Sequence, residues 1–122
     1  MAGLAPAGWP RDLGAPGTAP FGDEVVGWLL DRGPGELRAS ELRRYPLALA
    51  WYVEHHVDGA LAGARSAYAQ ARTALAPLGA ADVEVAQRTI EAEGARLTQV
   101  LREVRLVRGA LLMALPDGPA RP

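Results

Sequence analysis

The chain has 122 residues, a formal net charge of -1, 49% hydrophobic residues and no cysteine. The missing cysteine excludes disulfides, thiolate metal sites and a cysteine nucleophile, and the balanced charge gives no overall pull towards nucleic acid or acidic substrates. The longest apolar stretch, Pro46 to Val53, stops at Glu54, too short to cross a membrane, and no basic segment followed by an apolar run opens the chain.

A cytoplasmic, non-membrane protein is therefore expected. All 13 basic residues are arginine, and lysine and asparagine are missing. GC-rich coding and adaptation to heat would each produce that composition.

Residues 1–21 are rich in glycine and proline and lack helical periodicity, so they read as an extended or partly disordered arm. Trp9, Leu13 and Phe21 are apolar anchors that a solvated tail would not need. The arm is expected to lie across the helices from Trp9 onward. Residues 22–115 read as one helical domain.

Asp23 offers an N-cap for a short helix over about 23–32, with Glu24 favoured by the helix dipole, and Gly33-Pro34-Gly35 ends it. Val25, Val26, Trp28, Leu29 and Leu30 are too many apolar residues for a helix with one exposed side. A second short helix is expected over about 35–44, anchored by Leu37 and Leu42. Pro46 disfavours helical geometry at Tyr45 and suits the first turn of a new helix.

From there two long helices are expected, about 46–78 and 81–115. Steps of three and four from Leu47 through Val57, Leu61 and Ala71, and from Val83 through Leu97, Val104 and Leu111, land almost wholly on aliphatic residues. That 3.5-residue spacing keeps one stripe of each helix towards a partner. The short break at Pro77-Leu78-Gly79 makes the helices neighbours in an antiparallel, coiled-coil-like hairpin roughly 50 Å long at 1.5 Å per residue.

The implied register sets Leu61 against Val100, Val57 against Val104 and Ala50 against Leu111. It also sets Tyr68 against Glu93 as a structural polar pair, and places Glu54 within reach of Arg105 or Arg108. Off the seam, α-helical positions Ala48, Ala62, Ala69 and Ala76 are small enough for close helix approach. Val85, Leu101, Leu106, Leu112 and Met113 add more apolar surface than a two-helix seam buries. The fold expected is thus all-α, two copies pairing into a four-helix bundle. Residues 116–122 read as a disordered tail.

Chemistry is sparse. His55, His56 and Asp58 are the candidate metal ligands, but a helix puts His55 and Asp58 on one face and His56 on another, short of the three ligands a catalytic metal uses. Trp51, Tyr52 and His55 form a candidate interaction surface.

Arg96, Arg102, Arg105 and Arg108 are candidate phosphate contacts along one stripe, although Glu103 interrupts it and no aromatics are interleaved. The short helices ending in Arg38, Arg43 and Arg44 have the order of a helix-turn-helix followed by a dimerising hairpin. No phosphate loop or nucleophile motif is present, and no cofactor is expected. The expected function is a non-enzymatic helical interaction or oligomerisation module, a homodimer open to a protein partner. The alternatives are a nucleic-acid binder using arginine-rich faces and a metal-binding helical bundle.

Overall fold

The computed structural model describes residues 4–115, so the expectation for residues 116–122 lies outside the described residues. Among the described residues there are three α-helices and no strand: α1 (Ala19–Leu30), α2 (Pro46–Ala74) and α3 (Ala80–Met113).

α1 begins earlier than Asp23 suggested. Thr18 is its N-cap, extended at φ -97°, and its Oγ1 accepts from the Phe21 amide at 3.4 Å while donating to the Ala15 carbonyl at 2.6 Å. Pro20 in the first turn has no amide to leave unpaired. Thr18 followed by Pro20 is the stronger start signal, and the arm is correspondingly shorter than 1–21. The arm does lie on the helices, with Pro10 and Leu13 buried.

The expected short helix over 35–44 is instead two 3-10 turns, Gly35–Ala39 and Glu41–Arg44. Ser40 separates them in an extended conformation, φ -94° and ψ 163°, with its hydroxyl donating to the Leu37 carbonyl at 2.8 Å. Serine competes well for such local bonds, which is why it favours boundaries over helix interiors. The recognition helix of a helix-turn-helix is therefore missing here.

Tyr45 is non-helical at φ -128° and ψ 80° before Pro46, which opens α2 as expected. α2 ends at Ala74, a 3-10 turn covers Ala76–Leu78, and Gly79 reverses the chain at φ +85°, a conformation open to glycine without steric penalty.

α2 and α3 pack closely. Glu54 bonds Arg105 and Arg108, Leu61 shares a depression with Gly94 and Thr98, and Arg72 shares one with Val83. The start of α2 thus lies beside the end of α3. α1 crosses this pair at that end, and Leu29, Leu49, Val53, Val57, Val104 and Val107 are almost wholly shielded from water.

The core cluster stops at Leu61 on α2 and Leu97 on α3. Further out, Ala71 and Val83 are the buried side chains among the described residues, while Tyr68, Leu78 and Val85 stand exposed. The distal half of the pair has no third layer.

Candidate interaction surface

The arm and α1 are clasped by a cluster that periodicity could not reveal. Asp12 accepts from Trp28 Nε1 at 2.8 Å and from Arg32 at 2.9 Å, and the Arg32 guanidinium lies 3.8 Å above the Trp28 ring while also donating to the Trp28 carbonyl. The Trp28 and Arg32 bonds hold the Asp12 carboxyl below the usual carboxylate range. Trp9 reinforces the clasp, donating to the Leu13 and Gly14 carbonyls and resting 5.7 Å from Phe21. This covers one flank of the pair of long helices and leaves the other open.

Trp51 and Tyr52 are exposed near the start of α2, and His55 meets Trp51 edge to face with ring centroids 4.8 Å apart. The i, i+4 spacing brings these two rings together. Tyr52 points further round the helix. All three side chains face solvent at one end of the molecule.

The metal candidates are divided. His56 lines a depression with Arg32, Glu93 and Arg96, on the α1 side, away from the Trp51–His55 pair. Asp58 makes no ion pair among the described residues. Nowhere among the described residues do three histidine, aspartate or glutamate side chains gather as a metal would require.

The arginine stripe is also divided, and largely occupied. Arg105 Nε donates to Glu54 Oε2 at 3.1 Å, and Arg108 donates to Glu54 Oε1. Arg96 grips Glu93 through two bonds of 2.7 and 2.8 Å, which raises its own pKa and lowers that of Glu93. Arg102 has no carboxylate partner among the described residues. A phosphate would have to displace a carboxylate from three of the four.

Tyr68 and Glu93 are not brought together. Tyr68 lines a depression of about 260 Å³ with Ile90, Glu91, Gly94 and Thr98, whereas Glu93 faces the α1 side. The seam of α3 steps from Ile90 to Gly94, Leu97 and Leu101, so Glu93 falls just outside it. An exposed carboxylate three residues from an arginine has a better partner than a tyrosine across a helix gap.

The outward face of α2, opposite the seam, carries no charge. Tyr52, His55, Gly59, Ala62, Ser66 and Ala69 follow one another at steps of three and four, all exposed. A Cβ placed on Gly59 or Gly63 would meet nothing within 4 Å. No helix of the described residues is long and apolar enough to cross a membrane. Comparison with protein-family models, curated proteins and solved structures finds no match to this chain.

Proposed function

We propose that the protein is a non-enzymatic helical self-association module, in which α2 and α3 form an antiparallel, coiled-coil-like hairpin and two copies bring four long helices together. The observation that carries this reading is the bare distal half of the pair, where each long helix has one neighbour and Tyr68, Leu78 and Val85 face water. Two helices alone bury little, and helical stability in water comes mainly from packing an apolar face. A second copy packed along α2 gives that helix a second neighbour. Trp51, Tyr52 and His55, exposed near the start of α2, belong to the surface through which the module associates.

The ion pairs of Arg96, Arg105 and Arg108 weigh against phosphate reading, and the separation of His56 from His55 weighs against a metal centre. Sedimentation equilibrium over a hundredfold concentration range tests the proposal. A dimer mass is expected, and a monomer throughout would overturn it.

A further inference from the structure

We infer that the outward face of α2 is the self-association surface: two copies pack with their α2 helices antiparallel, about a two-fold axis crossing α2 between Ala60 and Leu61. This rests on the self-association reading and specifies its face, direction and register.

Charge carries the argument. α2 holds four charged residues, Glu54, Asp58, Arg65 and Arg72. Glu54 is engaged by Arg105 and Arg108, while Asp58, Arg65 and Arg72 make no ion pair among the described residues. Those three, together with Trp51, are spaced seven residues apart along one edge of the uncharged face. In heptad terms the face occupies the two contact positions and this edge is the flanking g position. Antiparallel coiled coils pair that edge with its own copy.

An axis between Ala60 and Leu61 sets His55 of each copy beside Ser66 of the other in the contact layers, and along the flanking edge sets Asp58 of each copy against Arg65 of the other. The same axis sets Trp51 of each copy against Arg72 of the other, a cation over an exposed indole. One register thus satisfies all three unpaired charges twice over.

Neighbouring registers satisfy only part of the set. A slide of one heptad in one direction pairs Asp58 with Arg72 but sets Arg65 against its own copy, and in the other direction pairs Trp51 with Arg65 but sets Asp58 against its own copy and leaves Arg72 beyond the end of the other α2. Parallel packing sets the same edge against His56, Gly63 and Gln70, which offer no countercharge. The pattern therefore selects one arrangement and disfavours the alternatives.

The face itself admits such a neighbour. Its side chains from Gly59 to Ala69 are small, and nothing inside the protomer requires glycine at 59 or 63. Glycine inside an exposed helix is unfavourable relative to alanine, so close approach of a second backbone gives these positions a reason. In the resulting assembly the two α2 helices form the inner pair, with α3 of each copy outside. The α1 side of each protomer remains uncovered by the contact.

Charge exchange tests this directly. Asp58→Arg alone and Arg65→Asp alone should each weaken the dimer by about tenfold or more, because two exposed attractions become two repulsions. Mixing the two variants should restore the parent affinity, since every facing pair is then opposite in sign. Circular dichroism on each variant checks that the helices remain.

Cross-linking gives a second readout in a chain with no native cysteine. Under oxidation, His55→Cys mixed with Ser66→Cys should form a disulfide-linked heterodimer, while His55→Cys alone should not link to itself. A parent dimer indifferent to the charge variants, or one in which His55→Cys links to itself, would overturn this face and register while leaving self-association standing. A monomeric parent would overturn self-association itself, and this inference with it.

Discussion

Glu54 of α2 and Arg108 of α3 lie 54 positions apart in sequence and share a direct ion pair, with Arg105 completing the grip on the same carboxylate at 3.1 Å. Among the described residues it is the one ionic link between the two long helices. The Glu54 side chain is 18% exposed and the arginines are 37% and 53% exposed, so the arginines regain water if the acid is removed. Glu54→Ala should therefore destabilise by about 1 kcal/mol rather than the several expected for a fully buried pair. Urea denaturation at fixed protein concentration would show it as a lower midpoint, with Glu54→Gln recovering part of the loss.

Leu61 and Glu93 test the packing from opposite directions. Leu61 closes the outer limit of the core and is 3% exposed. Leu61→Asp buries an unpaired carboxylate and should cost roughly 3 kcal/mol or more. Glu93 instead stands in water beside Arg96, so Glu93→Leu should leave the melting temperature of the parent unchanged. A thermal melt of both variants distinguishes this seam from one that includes position 93.

The clasp of Asp12 on Trp28 should respond to acid. Its folded pKa lies below the ordinary value, so its stabilising contribution is present above that ordinary value, near 3.9, and is lost as pH falls through the lower folded one. Asp12 is largely solvent-facing, which keeps the effect on global stability small. Tryptophan emission is the sensitive readout. The parent should change below about pH 4, and Asp12→Asn should show no such transition in that window.

Gly14 marks the tightest point of the arm. A Cβ there would sit 2.8 Å from the Phe21 amide nitrogen and 2.8 Å from Pro20 Cβ, against the first turn of α1. Backbone on one side and a proline ring on the other leave no flexible atom to yield. Gly14→Ala should cost about 1–3 kcal/mol and speed proteolytic cleavage within residues 4–18, measured by mass spectrometry of timed digests.

The long helices were legible because aliphatic residues recur at 3.5-residue spacing over many turns, and a period that long survives local exceptions. Tyr45-Pro46 was equally readable, since the proline ring acts on its neighbour wherever it occurs. The start of α1 was ambiguous. Thr18 and Asp23 both cap helices, and only Pro20 decides between them.

The Ser40 break was hidden because Leu37 and Leu42 suit a helix as well as two 3-10 turns. Glu93 was misplaced through a phase error: stepping Ile90, Glu93, Leu97 fits the spacing as well as Ile90, Gly94, Leu97, and a glycine does not advertise itself as a seam residue. The Asp12, Trp28 and Arg32 clasp joins residues as many as 20 positions apart. No local pattern encodes it.

Leu4 and Met113 line the same groove, so the two ends of the described chain sit together, while Gly79 lies at the far tip. That placement has a mechanical consequence. Tension applied between the two ends would peel the long helices apart like a zip, opening first at the stretch where α1 and the arm add their layer and resistance is greatest. Tension between either end and Gly79 would load a helix along its axis and shear the whole contact at once. The strongest section of the molecule is thus the one that a pull on its ends reaches first.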